Sequence, residues 1–237
     1  MKNQKFIALI LSLVLISMPI NTVKAAEIPF NTNEQTTNEN TLDLRLDNII
    51  VHTDYEQDKI YTERIELSGS DVKVIIRDKV TNEILETITE IDESSNSRTY
   101  ATKAVVRERQ DGPVLLTFMM HFRVYANGSF RQIEETLSSD FYISSSCPMV
   151  LNNVNTSVVS MSGTYPTVRV SYLGTGVVTG QVTVTKSTGT VVEGGGSFKL
   201  SDFVDVGFSV SVESSTSEEI TYYLRKQAKI QGEYSVY

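Results

Sequence analysis

Apolar and polar residues alternate along much of the chain, beginning at Leu42 in the segment LDLRLDNII. A period of two is typical of a β-strand that buries one face and exposes the other to water. The alternation returns at residues 72–76, 99–109 and 114–126, and it predicts strands there. Residues 82–91 fit either a strand or a short helix, because apolar positions in that segment match both periods.

The clearest turn signal is Asn127-Gly128, within the segment FRVYANGSFRQI. This dipeptide tolerates the positive φ angles of a type I′ turn and therefore predicts a β-hairpin. Residues opposite each other on paired strands are expected to interact. The predicted cross-strand pairs are Ala126–Ser129, Tyr125–Phe130, Arg123–Gln132, Phe122–Ile133 and His121–Glu134.

After Cys147-Pro148 the chain becomes richer in Ser, Thr, Val and Gly. Strands that follow one another without intervening helical patterns predict an antiparallel all-β fold, and we favour β-sandwich packing. The change of composition suggests two subdomains, 41–147 and 148–237, with a single domain over 41–237 as the alternative. The predicted strands of the second half are 157–161, 167–173, 177–186, 198–212 and 220–237, and the predicted loops and turns of the chain include 92–97, 110–113, 163, 174–176 and 193–196.

The segment QVTVTKSTGTVV, residues 181–192, fits either a strand of a water-soluble sheet or half of a hairpin that enters a membrane. A strand that crosses a membrane needs about 9–11 residues, and the predicted partner at 167–173 is shorter. We therefore predict a soluble strand with Val182 and Val184 toward the core and the threonines toward water.

Residues 1–26 have the pattern of a secretory signal peptide. Lys2 and Lys5 precede an apolar run over residues 6–20, and small residues lie near the expected cleavage point at Ala25 or Ala26. No later apolar run reaches the length of a membrane helix. We expect a protein released outside the cell, or held at the cell surface by binding, after a flexible polar linker at residues 27–40.

Removal of the leader lowers the number of Lys and Arg from 21 to 18 against 29 Asp and Glu, so the net charge becomes −11. This charge disfavours nucleic acid and anionic lipid as partners. The single cysteine, Cys147, has no internal partner for a disulfide, and we interpret it as a small buried apolar side chain. An exported protein without disulfides depends on its core for stability.

Two sets of residues are candidates for chemistry. His52 and Asp54 are candidate metal ligands, since residues two apart on a strand share a face, but a zinc site needs three or four ligands. His121 and Glu134 are candidate catalytic residues, because the predicted hairpin brings them opposite each other. The sequence carries no Gly-x-Ser-x-Gly elbow, no calcium loop and no nucleotide-binding loop, so we predict neither metal nor cofactor.

The leader, the single cysteine, the hairpin FRVYANGSFRQI and the Ser/Thr/Val-rich strands together resemble small exported proteins of Gram-positive bacteria that have no assigned activity. This resemblance supplies no catalytic residues. The sequence favours a secreted, non-catalytic β-sandwich that binds an extracellular protein or glycan. The alternatives are a β-rich pore-forming or membrane-damaging toxin and a secreted hydrolase whose site the sequence does not reveal.

Overall fold

The computed structural model describes residues 42–93, 99–144, 147–191 and 198–236. These residues form an all-β fold, and the ambiguous segment at 82–91 is a strand. The leader at 1–26, the linker at 27–40 and the predicted turn at 193–196 lie outside the described residues, as does most of the predicted loop at 92–97. The elements are β1 (Leu42–Arg45), β2 (Ile50–Thr53), β3 (Ile60–Glu66), β4 (Val72–Asp78), β5 (Ile84–Asp92), β6 (Tyr100–Asp111), β7 (Val114–Asn127), β8 (Phe130–Ile143), β9 (Met149–Ser160), β10 (Arg169–Thr185), α1 (Leu200–Val204), β11 (Ser209–Ser215) and β12 (Glu219–Ser235).

The strands form two antiparallel sheets, so the predicted sandwich-type all-β class is confirmed. Sheet A has the order β1-β2-β12-β10-β9, with β11 also paired to β12, and sheet B is the meander β3-β4-β5-β6-β7-β8. The composition change at Cys147-Pro148 coincides with the passage from sheet B to the second part of sheet A. Residues from both sheets, and Cys147 itself, belong to one buried apolar cluster.

Aromatic side chains join the two sheets at the centre of this cluster. The ring of Phe118 on β7 stacks on Tyr172 of β10 at 5.3 Å, and Tyr172 stacks on Tyr234 of β12 at 4.5 Å. Phe122 meets Tyr234 edge to face at 6.3 Å. Ring pairs in these geometries add to the stabilisation that burial itself supplies.

The prediction of a turn at residues 174–176 is wrong, because β10 runs unbroken through them. Gly174 lies under an aromatic ring, and a Cβ there would come within 2.5 Å of Phe118. These glycines permit close packing inside a strand and do not end it. The core-facing positions of β10 follow the predicted alternation, with Val182 and Val184 buried.

The register predicted for the hairpin of β7 and β8 is also wrong. Asn127 pairs with Phe130, so Gly128 and Ser129 form the loop, and Gly128 takes the positive φ of +62° that a type II′ turn needs at its first central position. Two register shifts follow, one between His121 and Phe122 and one between Arg123 and Val124. The observed pairs are Tyr125–Gln132, Val124–Ile133, Arg123–Glu135, Phe122–Thr136 and His121–Ser138.

The segment predicted as one strand at 198–212 contains α1 before β11 begins. The Asp202 carboxylate accepts a hydrogen bond from the backbone N–H of Lys199 at 2.8 Å, which caps the helix. Phe203 and Phe208 are both buried, with their rings 5.5 Å apart. Among the described residues, no helix has the length and apolar character needed to cross a membrane.

Candidate functional site

One edge of β12 is covered along only part of its length. β2 pairs with residues 233–235 and β11 pairs with residues 220–225, so residues 226–232 have no strand neighbour on that edge within the described chain. Two arginines of β6 reach this gap from sheet B: Arg107 Nη1 donates to the carbonyl of Gln231 at 3.2 Å, and Arg109 Nη2 donates to the carbonyl of Lys229 at 2.6 Å. The guanidinium groups therefore satisfy backbone acceptors that an open strand edge would expose.

Beneath the gap, Arg107 forms a buried ion pair with Glu86 of β5. Arg107 Nε donates to Glu86 Oε1 at 2.5 Å and Nη2 donates to Oε2 at 2.6 Å, a two-point contact that fixes both side chains. Burial by itself lowers the pKa of the Arg107 guanidinium, but the charge and hydrogen bonds of Glu86, together with the nearby Tyr234 and Tyr55, raise that pKa overall. The Arg107 guanidinium therefore remains charged inside the sandwich.

Sequence reasoning missed this pair, although the alternation contains its signal. Glu86 and Glu90 fall in the same phase of β5 as the buried Ile88, so strand geometry turns both carboxylates toward the core. On β6, Lys103 and Arg107 share the core-facing phase and supply the positive charges. Charged residues in the apolar phase of two neighbouring strands indicate buried ion pairs.

Two tyrosines border the ion pair, and their hydroxyls are unusual. Tyr172 Oη and Tyr234 Oη are buried and have no hydrogen-bond partner among the described residues. The Arg107 guanidinium lies 5.4 Å from the centre of the Tyr172 ring, a favourable cation–π distance. Burial raises the pKa of Tyr234, and Arg107 opposes this effect only in part. At Gly232 a Cβ would overlap the Tyr172 hydroxyl and lie 2.9 Å from Arg107 Nη1, so glycine leaves room for the cluster.

The second buried carboxylate, Glu90, holds the turn between β1 and β2 in place. It accepts hydrogen bonds from the backbone N–H groups of Asp47 at 3.0 Å and Asn48 at 3.0 Å, and from the Asn48 side chain at 3.1 Å. Lys103 Nζ is 3.6 Å away. Burial raises the pKa of Glu90, and the hydrogen bonds from Asn48 lower it in part. This carboxylate anchors the turn between β1 and β2 to sheet B.

The Glu86–Arg107 pair forms part of the wall of a cleft with a volume of about 210 Å³. The segment that leaves β2 forms another part of the wall, so residues distant in sequence meet here. Burial and the nearby Glu86 carboxylate raise the pKa of Tyr55, which keeps its hydroxyl protonated. The residues that line the cleft are His52, Thr53, Asp54, Tyr55, Glu86, Arg107, Arg109 and Gln231.

His52 lies at this cleft between an acid and a serine. Its Nδ1 is 2.6 Å from Asp43 Oδ1 and its Nε2 is 3.0 Å from Ser235 Oγ. Antiparallel register explains the arrangement: His52 is opposite Asp43 on β1 and opposite Glu233 on β12, and Ser235 is two residues farther along the same face. Sequence reasoning did not reveal this group, because His52 and Ser235 are separated by 183 positions in the chain.

The two candidate metal ligands, His52 and Asp54, both line the cleft. Both ring nitrogens of His52 already have polar partners in Asp43 and Ser235. Within the described residues, no group of three or more His, Cys, Asp and Glu side chains is placed to hold a metal ion. The geometry therefore places these residues at a polar cleft without assembling a ligand set around them.

The two candidate catalytic residues, His121 and Glu134, are not brought together. The register shifts place His121 opposite Ser138, with Nδ1 2.9 Å from Ser138 Oγ, and His121 Nε2 is 3.2 Å from Glu93 Oε1. Glu134 instead accepts a hydrogen bond from Gln132 Nε2 at 2.5 Å. The predicted pairing assumed a hairpin without bulges.

Comparison of the chain with known protein families, with curated proteins and with solved structures finds no match. The geometry of the cleft is therefore the feature from which a function can be inferred.

Proposed function

We propose that this chain is an exported β-sandwich protein that binds a glycan outside the cell in the cleft at the gap of sheet A. The observation that supports the proposal is the cleft itself, where polar side chains of both sheets converge at a break in one sheet. Binding sites in proteins are concave and carry a small number of fixed polar groups that orient the ligand.

The polar groups of the cleft suit a ligand rich in hydroxyl groups. Asp54 supplies carboxylate acceptors, Arg109 supplies guanidinium donors, and the Gln231 amide supplies both. Tyr55 adds an aromatic side chain, which a sugar ring can contact through its apolar face. A protein partner normally covers about 800 Å² on each side, so a small polar cleft favours a sugar unit over a protein surface.

Hydrogen bonds already hold the wall of the cleft in place without a ligand. Glu86 and Arg107 hold each other by two hydrogen bonds, and Arg107 is tied to the backbone of β12 at Gln231. Groups that are already ordered lose little conformational entropy on binding. This preorganisation supports affinity from few contacts, as a glycan site of this size requires.

A glycan array with the mature chain tests the proposal. We expect selective retention of a subset of glycans by the native protein and at least a tenfold loss of affinity, about 1.4 kcal/mol, in Arg109→Ala and in Asp54→Ala. Arg123→Ala is the matched control, because Arg123 lies on the outer face of sheet B and is absent from the cleft lining. Equal affinity in all three variants, or no retained glycan, would contradict the proposal.

A further inference from the structure

We propose that Ser235 is a nucleophile that removes a small acyl group, such as acetyl, from an ester on the glycan bound in the cleft. The proposal rests on the proposed function for the identity of the ligand and on the group Asp43, His52 and Ser235 for the chemistry. Esters of sugar hydroxyls are the substrate class, and the reaction is hydrolysis.

The three side chains stand in the relation that nucleophilic catalysis requires. In the tautomer with the proton on Nδ1, His52 donates to Asp43 at 2.6 Å, and its Nε2 accepts from the Ser235 hydroxyl at 3.0 Å. A nucleophile within hydrogen-bond reach of a base, with the base oriented by a third group, is recognised by this geometry and not by order in the sequence. Three adjacent strands, β1, β2 and β12, hold the three residues in place.

The reaction follows from these positions. Ser235 Oγ attacks the ester carbonyl carbon while its proton passes to His52 Nε2, and Asp43 stabilises the imidazolium. Collapse of the tetrahedral intermediate breaks the bond to the sugar oxygen, which takes the proton from Nε2 and leaves as an alcohol. Water then attacks the acyl carbon on Ser235, with His52 again as base, and this step releases the carboxylic acid and restores the Ser235 hydroxyl. Ser235 and His52 are the catalytic residues, and Asp43 is a positioning residue.

A positively charged side chain lies on the same face of sheet A as Ser235. It is a candidate to stabilise the ester carbonyl oxygen, which becomes negative in the tetrahedral intermediate. Arg169 of β10 is directly opposite Ser235, and its guanidinium pairs with Glu233 at 2.6 Å. Residues directly opposite on paired strands share a face and are near neighbours. We assign Arg169 to the oxyanion, because a preplaced positive charge stabilises the tetrahedral intermediate.

Exposure limits the size of the acyl group. Ser235 is 6% exposed to solvent, whereas the side chains of His52 and Asp43 are 18% and 60% exposed. The sugar therefore stays in the cleft that His52 lines, and only a small acyl group reaches the serine oxygen. This is why we specify acetyl and not a long-chain ester.

The chain contains its own matched control. His121 also lies between an acid and a serine, with Nε2 3.2 Å from Glu93 Oε1 and Nδ1 2.9 Å from Ser138 Oγ. His121 is absent from the residues that line the cleft. Polar neighbours on a wet sheet face can also produce such a group, and the experiment separates the two cases.

The first test is covalent labelling of the intact mature chain with a fluorophosphonate probe, followed by peptide mass spectrometry. We expect the label on Ser235, its loss in Ser235→Ala, and unchanged labelling in Ser138→Ala. Absence of label on the native chain, or label that persists in Ser235→Ala, would overturn the proposal.

The second test is hydrolysis of p-nitrophenyl acetate, with folding of each variant checked by circular dichroism. We expect His52→Gln to lower kcat/KM by about 100-fold or more, as loss of a general base does, and His121→Gln to leave it unchanged. Asp43→Asn changes a side chain that is 60% exposed, so we expect this variant to fold and its kcat/KM to fall by at least about tenfold. This variant provides the test if a serine variant fails to fold. Equal rates in His52→Gln and His121→Gln would overturn the proposal. Retained glycan binding together with no hydrolysis would overturn the hydrolase alone and leave the proposed function standing.

Discussion

Two arginine–glutamate pairs in this molecule have the same chemistry but different surroundings. Arg107 and Glu86 meet at 2.5 Å at the cleft, with side chains 7% and 1% exposed, whereas Arg123 and Glu135 meet at 2.5 Å on the outer face of sheet B, with side chains 50% and 45% exposed. Removing one partner of a buried pair leaves an uncompensated charge, while water replaces a lost partner at the surface. Equal distances therefore do not imply equal importance.

The two histidines, His52 and His121, also have similar contacts but different surroundings. Each lies between an acid and a serine, but His52 joins strands from both ends of the chain beside a cleft, and His121 joins neighbours on an open face. Contact geometry alone does not distinguish them. Two properties distinguish them: the serine partner of His52 is buried, and His52 lies beside a cleft. These two properties are the basis of the proposed function.

The largest expected effect separates the two arginines. Arg107→Ala leaves Glu86 buried without its partner and should lower the free energy of unfolding by about 3–5 kcal/mol. Arg123→Ala breaks an exposed pair and should lower it by about 0–1 kcal/mol. Urea denaturation of both variants measures the difference, and similar losses would show that the cleft and the outer face do not differ as described.

A smaller effect tests the close packing around the cleft. Gly232→Ala introduces a methyl group against the Tyr172 hydroxyl and Arg107 Nη1, and overpacking of this kind should cost about 1–3 kcal/mol. Gln227→Ala, at an exposed position of the same strand, should change stability by no more than about 0.5 kcal/mol. Thermal unfolding of the two variants provides the measurement, and an unperturbed Gly232→Ala would refute the tight cluster.

The smallest effect concerns pH and the other buried carboxylate. Burial raises the pKa of the Glu90 carboxyl group above its ordinary 4.5. The folded state therefore binds the carboxyl proton of Glu90 more tightly than the unfolded state does. The contribution of Glu90 to stability is therefore present below its ordinary pKa and declines as pH rises through the raised value. Glu135, whose side chain is 45% exposed, serves as the comparison variant.

The measurement is thermal unfolding of the native chain, Glu90→Gln and Glu135→Gln from about pH 4 to about pH 7. The stability of the native chain relative to Glu90→Gln should fall as pH rises over this range, and relative to Glu135→Gln it should not. If the native chain instead became more stable relative to Glu90→Gln as pH rises, this result would contradict a raised pKa of Glu90.

The alternation of residues was sufficient to predict the all-β sandwich class and the core faces of the long strands. It failed where close packing or turn geometry, and not the alternation of apolar and polar residues, determined the structure. Gly174 looked like a turn residue but makes room for the Phe118 ring inside β10. The bulges of the first hairpin moved His121 away from Glu134, because a register depends on turn geometry that the dipeptide Asn127-Gly128 does not fix alone.

The candidate site was less accessible to sequence reasoning than the fold. The sequence makes His52 and Asp54 candidate ligands without predicting a metal site, and the structure places both at the cleft. Their partners come from distant strands, since Ser235 lies at the end of β12 and Glu86 lies in sheet B. Which strands become neighbours depends on the whole topology, and periodicity within one segment carries no information about it.

The most direct test of the central claim uses the two histidines of the chain as reporters. Their imidazole signals are recorded by long-range nitrogen–proton NMR while the glycan that binds most tightly on the array is added to the chain that lacks residues 1–26. The account predicts that the His52 ring signals shift with ligand concentration and that the His121 ring signals stay in place. Movement of the His121 signals with those of His52 unchanged would contradict the assignment of the cleft as the binding site.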